Sequence, residues 1–182
     1  MDTKVLIIII AIIVAIIVLW FIAASNKLNK AIVKIEEADS DIDVALTKRY
    51  DALTKMVDVV KGYAKHEKET FFEVINLRKG MSVQEKEEAT RKMDAMQGQI
   101  NVLAEAYPEL KSSENYNTLQ KSIVEVEEHL QASRRMFNAN VSSLNQSIVT
   151  FPISIVAGLK GLSKRDFFET EDIKKEDVKI DL

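Results

Sequence analysis

Residues 28–64 read LNKAIVKIEEADSDIDVALTKRYDALTKMVDVVKGYA, and their apolar positions recur at steps of three and four. This spacing predicts one helix of about 37 residues with a heptad seam. At 1.5 Å per residue such a helix is roughly 55 Å long. Neither proline nor glycine interrupts it before Gly62. The seam consists of Leu28, Ile32, Ile35, Asp39, Ile42, Leu46, Arg49, Leu53, Met56, Val60 and Tyr63.

A charge-free apolar run, VLIIIIAIIVAIIVLWFIAA, lies upstream of this helix and extends from Val5 to Ala24. Its 20 residues match the hydrocarbon thickness of a bilayer, which is roughly 30 Å. The alternative, a cleaved signal peptide, is disfavoured because its apolar core would be shorter, about 7 to 15 residues. We therefore predict a transmembrane anchor with its ends at Val5 and Ala24, and nothing before Leu28 forces a break from the helix that follows.

The lysines that flank the run favour one orientation in the membrane. Lys4 and the terminal amine lie on its N-terminal side, whereas Lys27, Lys30 and Lys34 lie on its C-terminal side. Because cytoplasmic flanks carry the excess of positive charge, we expect a single-pass protein of the cytoplasmic membrane whose large domain faces the cytoplasm.

Three further helices are predicted downstream. A second helix extends from Lys65 to Gly80. Ser82-Val83-Gln84-Glu85 has the form of a capping box, and it starts a third helix that ends before Pro108, since proline restricts the residue before it. The fourth helix begins near residue 113 or 115 and is stopped by Pro152.

These elements together predict an all-α fold with three parts. An N-terminal single transmembrane helix, residues 1–25, is followed by an elongated up-and-down four-helix bundle, residues 26–162. Residues 163–182 form a charged C-terminal tail, whose only aromatic anchors are Phe167 and Phe168.

The segment from Phe151 to Leu162 is apolar apart from Lys160, and at this length it is too short to span a bilayer. One interpretation folds it back over the end of the bundle core. The other places it in the headgroup interface, with the apolar side chains as anchors. The interfacial residues would be Ile153, Ile155, Val156 and Leu159.

Charged residues on the helical seams suggest contacts between the first and fourth helices. If these helices are antiparallel, the residue numbers of two facing positions sum to about 178. This places Asp43 opposite Arg135 and Arg49 opposite His129, and Arg134 lies on the seam of the fourth helix. These interhelical charges are either ion pairs that set the helix register or a polar binding track. The first interpretation is favoured because buried charges must be paired in any case.

The composition and motifs argue against catalytic and cofactor chemistry. The chain has no cysteine, which excludes disulfides and thiolate metal sites. His66-Glu67 begins like a zinc protease motif, but Thr70 occupies the place of its second histidine, and two imidazoles are what would hold the metal. We predict no cofactor and no metal site. The net charge of −3 and the pI near 5.6 argue against a nucleic-acid surface.

Several short motifs resemble those of the LemA family, in order and over nearly the whole chain. This resemblance implies one N-terminal membrane helix, an up-and-down four-helix bundle and no agreed biochemical activity. Thr54-Lys55 departs from the Pro-Asn pair that is typical of the family, so the first helix is expected to be straighter here. The matching motifs are Arg49-Tyr50-Asp51, residues 60–67, residues 106–111, Asn115 with Leu119-Gln120, residues 132–138, Phe151-Pro152 with Ile155-Val156-Ala157, and Phe167-Phe168-Glu169.

Taken together, these patterns favour a membrane-anchored interaction or scaffold protein without catalytic activity. Its expected partners are the lipid bilayer and an unidentified protein, and its oligomeric state is left open. The alternative is a membrane-bound enzyme or metal carrier with an unrecognised site in the bundle. An envelope sensor would require a bistable element, which a sequence cannot reveal.

Overall fold

The computed structural model of the chain describes residues 2–63 and 75–168, and within these ranges its regular secondary structure is all helical, without a strand. The all-α fold is therefore confirmed. The helices of the described ranges are α1 (Thr3–Tyr63), α2 (Val83–Ala106), α3 (Pro108–Lys111), α4 (Glu114–Val149) and α5 (Ile153–Leu159).

Helix α1 is unbroken over 61 residues, so the apolar run and the amphipathic stretch belong to one helix, as the sequence allows. In the apolar run the large side chains are exposed, for example Ile7 and Ile16, except for Trp20, which is half-buried. Within the described residues, α1 alone is long and apolar enough to cross a membrane by itself. Helices α4 and α5 meet that criterion only as a pair, and they are bent by 95°.

The seam of α1 is buried where the heptad pattern predicts. Leu28, Ile42 and Leu53 have no measurable exposure, and Arg49 on the same seam is buried as well. The exceptions are Ile32 and Asp39, which are half-buried, and Tyr63 at the end of the helix, which is exposed. This burial confirms that α1 packs through one face against other helices.

The predicted start of α2 is confirmed in detail. Ser82 is the N-cap, its hydroxyl accepts a hydrogen bond from the backbone N–H of Glu85, and the Glu85 side chain accepts one from the backbone N–H of Ser82. Helix α2 ends at Ala106, and Pro108 then occupies the first turn of the short helix α3, where its missing N–H has no cost. Helix α3 was not predicted.

The predicted second helix from Lys65 to Gly80 is wrong in its last part. Residues 65–74 lie outside the described residues, and residues 75–80 are not helical. Ile75 is buried and Leu77 half-buried, whereas Asn76 and Arg78 are exposed. This alternation has the period of two that belongs to extended chain rather than to a helix.

The chain divides into two compact units. The first unit comprises Met1–Ala38 and Met136–Asp166, and the second comprises Asp39–Arg135 and Phe167–Leu182. The boundaries predicted at residues 25 and 162 stay a prediction. The core of the first unit contains Leu28, Ile35, Phe137, Val141, Leu144, Val156 and Ala157, and that of the second contains Ile42, Leu46, Leu53, Met56, Met93, Ile100, Ile123 and Leu130.

Contacts inside the second unit show the helix directions. Asp39 and Arg49 of α1 pair with Lys86 and Asp94 of α2, so residue numbers rise together and α1 is parallel to α2. Between α2 and α4 the order reverses, since Thr90 contacts Arg134 whereas Asn101 contacts Tyr116. Parallel α1 and α2 with antiparallel α4 are the directions that an up-and-down bundle requires of its first, third and fourth helices.

Candidate functional site

Lys86 is the most buried charged residue of the second unit, with no exposed side-chain surface. Its ammonium nitrogen lies 2.6 Å from an Asp39 carboxylate oxygen and 2.6 Å from an Asp43 carboxylate oxygen. The two aspartates are four residues apart and therefore share one face of α1. A single α2 cation thus joins two α1 carboxylates. Asp43 pairs with Lys86 and not with Arg135, so the pairing predicted across α1 and α4 is corrected.

Arg49 is the second buried cation, with 3% of its side chain exposed. Its Nη2 donates to Asp94 Oδ1 at 2.6 Å and to Gln97 Oε1 at 3.1 Å, both on α2. Its Nε lies 3.2 Å from Glu127 Oε2 on α4. The predicted neighbour was His129, two residues further along α4, so the antiparallel register holds to within about half a helical turn.

Arg134 of α4 makes a third contact of this kind. Its Nη2 donates to Thr90 Oγ1 at 2.6 Å, and the same hydroxyl donates to the Lys86 carbonyl oxygen at 2.8 Å. The guanidinium carbon also lies 5.7 Å from the centre of the Phe168 ring, within the range of a cation–π contact. Phe168 is buried, so this residue of the predicted tail belongs to the second unit.

Arg135, the last of the predicted interhelical charges, is exposed. It lines a shallow groove of about 470 Å³ between α2 and α4, together with Gln97 and Glu127. A second groove of about 520 Å³ lies between α1 and the segment before α2, with Val44 and Leu77 among its lining residues. The second unit therefore presents two open surfaces beside its ion-paired interior.

We call the contacts of Lys86, Arg49 and Arg134 the charged cluster. Its α2 members, which are Lys86, Thr90 and Asp94, were not predicted from the sequence. A signal was present for Lys86, which lies seven residues before Met93 and fourteen before Ile100. That spacing places it on the buried stripe of α2. The partners themselves carry no such signal, because which carboxylate meets a buried cation depends on how two helices are aligned.

Glu85 and Tyr116, both in the second unit, have displaced pKa values. The backbone N–H of Ser82 donates to the Glu85 carboxylate, with further contributions from the Ser82 hydroxyl and the charge of Arg78, and the pKa of Glu85 is lowered. Burial raises the pKa of Tyr116, and the negative charge of Glu105 adds to that effect. Neither group lies in the charged cluster.

The chemistry of the cluster is that of compensated charge. Lys86 and Arg49 have carboxylate partners on neighbouring helices, and Arg134 contacts the Thr90 hydroxyl on α2 and the Phe168 ring. Charged groups removed from water require such partners. In residues 2–63 and 75–168, no three His, Asp or Glu side chains are arranged to hold a metal ion. His129 is exposed, and His66 lies outside the described residues. The cluster joins α1, α2 and α4 through paired polar and charged side chains.

The first unit places the predicted interfacial residues on two faces. Ile155 and Leu159 are 52% and 73% exposed, Ile153 is half-buried, and Val156 is fully buried. The Lys160 ammonium donates to Asn29 Oδ1 at 2.6 Å and so joins the end of α5 to α1. Helix α5 therefore covers core with one face and leaves an apolar face open.

The sequence profile of the LemA family matches residues 38–182. The chain belongs to the LemA family. Among its relatives, Protein LemA of Metamycoplasma hominis is 29% identical over 163 residues, which cover 87% of this chain and 74% of that protein. The predicted family is thus confirmed.

More distant relatives of this LemA-family chain match a shorter stretch. Magnetosome protein MamQ of Magnetospirillum gryphiswaldense is 27% identical over 71 residues, or 39% of this chain and 26% of that protein. Magnetosome protein MamQ 2 of Paramagnetospirillum magneticum is 28% identical over 72 residues, or 40% of this chain and 26% of that protein.

Proposed function

We propose that this LemA-family chain is a membrane-anchored interaction protein, a non-catalytic scaffold whose helical units act at the surface of the cytoplasmic membrane on its cytoplasmic side. The observation that carries the proposal is the continuity of α1 from an exposed apolar run into buried, ion-paired packing. A helix cannot bend sharply without a proline, a glycine pair or a bulge. Its anchor therefore holds the packed helices close to the bilayer.

The charged cluster supports a scaffold rather than a reactive centre. Buried ion pairs specify which helices meet and in which register, and Lys86 and Arg49 each join α1 to α2. Because these cations are neutralised by carboxylates, they have little charge left for a substrate. A binding role then falls to the exposed surfaces of the second unit, such as the two grooves that contain Val44 and Val124.

Photo-crosslinking in native membranes tests the interaction function. The full-length chain carries a photoreactive amino acid at Val44 or Val124, with Asp58 as the matched control, because it is also exposed but lines neither groove. We expect one protein adduct of constant mass at a groove position and none at Asp58. The captured protein should then bind the purified full-length chain, and a bulky substitution at the same groove position should abolish that binding.

Two outcomes contradict the proposal. Equal labelling at all three positions would indicate random collisions at the membrane surface. Stoichiometric metal in the purified full-length chain, retained through gel filtration, would favour the metal-carrier or enzyme alternative instead.

Orientation is tested separately. Since the chain has no cysteine, a single Asp58→Cys variant provides one thiol for a membrane-impermeant maleimide. We expect labelling only after the membrane has been permeabilised. Labelling in intact cells would place the helical units on the outer side and overturn the cytoplasmic assignment.

A further inference from the structure

A basic groove of about 610 Å³ lies between α1 and α4 in the first unit. Three of its lining residues are Lys27, Lys30 and Lys34 on α1, and we call it the lysine groove. The opposite wall contains Asn140, Ser143 and Ser147 on α4. The charged cluster does not explain this groove, because the residues of the cluster belong to the second unit.

The two walls of the lysine groove have the same spacing. Lys27, Lys30 and Lys34 follow one another at steps of three and four, and Asn140, Ser143 and Ser147 repeat these steps. Such spacing places each set on one face of its helix. Asn140 Nδ2 donates to the Lys34 carbonyl oxygen at 2.9 Å, so Lys34 and Asn140 lie at the same level.

The direction of the helices then aligns the remaining residues. Lys160, which follows α4 in the chain, contacts Asn29 of α1, so the C-terminal end of α4 lies toward the apolar end of α1. Counting along antiparallel helices of equal rise brings Ser147 level with Lys27 and Ser143 to within one residue of the level of Lys30. A column of ammonium groups therefore faces a column of amide and hydroxyl groups.

The charge of the lysine groove is uncompensated. None of the described residues that line it is acidic, and no ion pair joins these three lysines to a carboxylate among the described residues. Like charges three and four residues apart on a helix repel each other, and a bound anion would relieve that repulsion. In this respect the groove is the opposite of the charged cluster, where Lys86 and Arg49 have carboxylate partners.

The position of the groove along α1 indicates where that anion comes from. Lys27 lies about 4.5 Å beyond Ala24 along the helix axis, and Lys30 about 9 Å. The headgroup layer on each side of the hydrocarbon core is about 5 to 8 Å thick. Ala23, the penultimate residue of the apolar run, also lines the groove. The groove therefore begins at the hydrocarbon edge and extends across the layer that contains the lipid phosphates.

We propose that the lysine groove binds the phosphate of an anionic phospholipid headgroup, in the leaflet that the Ala24 end of the anchor faces. The ammonium groups of Lys27 and Lys30 neutralise the phosphate, and the Ser143 hydroxyl donates to a headgroup oxygen. The Ser147 hydroxyl donates to the Ser143 carbonyl oxygen at 2.9 Å, so Ser147 forms part of the wall and can accept a hydrogen bond there. The proposal rests on the membrane anchoring proposed above but does not depend on a protein partner.

Trp20 provides the measurement. It is the single tryptophan of the chain, and at three and seven residues before Ala23 and Lys27 it lies on the same face of α1. The full-length chain is reconstituted, at near-physiological ionic strength, into phosphatidylcholine vesicles with a minority of phosphatidylglycerol. Brominated acyl chains, which quench tryptophan on contact, are carried by the phosphatidylglycerol in one preparation and by an equal fraction of the phosphatidylcholine in the other.

We expect stronger quenching by the anionic lipid, equivalent to a local enrichment of about fivefold or more, which is the effect of one lysine at a lipid surface. The triple variant Lys27→Gln, Lys30→Gln and Lys34→Gln should remove the enrichment. The matched control removes the same number of positive charges from exposed α1 lysines outside the groove, and it should retain the lipid enrichment. This control changes Lys48, Lys55 and Lys61 to Gln. Equal loss in both triple variants would indicate general charge attraction and overturn the proposal.

A second variant keeps the charge constant. Ser147→Leu fills the groove, leaves all three lysines in place and should also abolish the enrichment, while Ser163→Leu, at an exposed position outside the groove, should not. Inorganic phosphate at matched ionic strength should leave the quenching unchanged, and if it abolished the enrichment the site would belong to a soluble anion. A chain that is not inserted shows no quenching by either lipid, which contradicts the anchoring, whereas equal quenching by both contradicts the groove alone.

Discussion

Lys86 shows how a single residue connects the helices of the second unit. Its ammonium group lies between two α1 carboxylates and has no contact with water. Removing a charge from water costs several kcal/mol, and the two aspartates offset that cost only while both ion pairs remain. The sequence placed Asp43 opposite α4, because the register estimate included only the two longest helices. The true partner lies on α2, which is parallel to α1.

The first prediction concerns this ion-paired lysine. Replacing both Asp39 and Asp43 by Ala leaves a buried cation without a carboxylate, and we expect it to lower the free energy of unfolding by about 3 kcal/mol, since both aspartates are partly exposed. Adding Lys86→Met to this double variant removes the unpaired charge and should recover most of the lost free energy of unfolding. Denaturation of the full-length chain, followed by helical circular dichroism, measures both effects.

Lys48→Met provides the control for the lysine substitution. Lys48 is an exposed lysine of α1, the helix that also carries Asp39 and Asp43. It should change the unfolding free energy by less than about 0.5 kcal/mol. If Lys86→Met failed to rescue the double aspartate variant, the loss would have to come from the helix itself and not from the unpaired cation.

The second prediction concerns the acid sensitivity of the capping box. The pKa of Glu85 is lowered from 4.5 by the Ser82 hydrogen bonds and by Arg78, so its charged form is favoured by folding. Its contribution is therefore complete above pH 4.5 and disappears as the pH falls through the lower folded pKa. The stability difference between the wild-type chain and Glu85→Gln should be constant near neutral pH and shrink in acid.

Ser82→Ala provides an independent check of the same cap. It removes the N-cap hydroxyl and should lower stability by about 1 kcal/mol, and it should also raise the pKa of Glu85 toward its ordinary value. A carboxyl NMR titration measures that pKa directly. An unchanged Glu85 titration in Ser82→Ala would contradict the hydrogen-bond assignment.

At the scale of elements, α5 answers a question that the sequence left open with two interpretations. Val156 and Ala157 are fully buried, as a helix that covers the end of a core requires, whereas Ile155 and Leu159 are exposed. The buried face agrees with the interpretation that α5 covers the core, whereas the interfacial interpretation stays a prediction for the exposed face. Phe151, at 77% exposure, extends the open apolar face.

The third prediction separates these faces. A single cysteine at Ile155 or Leu159, labelled with an environment-sensitive fluorophore, should show blue-shifted emission when the full-length chain is in vesicles, because these positions then meet the headgroup interface. The same label at exposed Ser163 should not. An equal emission wavelength of the label at residues 155, 159 and 163 would show that the exposed face of α5 lies in water.

The buried face of α5 gives the complementary result. Val156→Ala removes two methyl groups from a fully buried position and should destabilise the first unit by roughly 1 to 3 kcal/mol. Ile155→Ala should change stability by much less, since half of that side chain is already exposed. Thermal denaturation of the two full-length variants compares them, and a larger loss for Ile155→Ala would reverse the assignment of the faces.

At the scale of the whole molecule, one helix contains both an apolar run of membrane-spanning length and residues that pack in the two units. The apolar run from Val5 to Ala24 contains no charge, and its window of highest hydropathy has no residue buried inside the protein. The family match begins at residue 38, so it covers the region after this run. The anchor therefore has to be tested on its own.

The fourth prediction concerns that anchor. The full-length chain should remain in the membrane fraction after a carbonate wash and should retain its uncleaved mass. Ile13→Arg places a charge at the middle of the apolar run and should weaken insertion by roughly 2.5 to 3.5 kcal/mol, whereas Ile13→Leu should have no effect. Release of intact wild-type protein by the wash would contradict the anchor, and a shortened chain would indicate a cleaved signal sequence.

Local patterns in the sequence were sufficient for much of this protein. The apolar run, the seam of α1, the capping box at Ser82 and the end of α4 before Pro152 all depend on residues within a few positions of one another, and the structure contains each of them. Hydrogen bonds of a helix and its caps are local, so their signals survive in a single sequence.

Only the tertiary structure decided which distant residues meet. The axial register and rotation of the packed helices set the partners of Lys86 and Arg49. They also set the non-helical conformation of residues 75–78 and the alignment of Lys27 with Ser147. A shift of one residue along a helix changes its rotation by about 100°, so small errors in an estimated register exchange one partner for another. For that reason the sequence alone determined the long helices and the apolar run, whereas packing determined the charged cluster and the lysine groove.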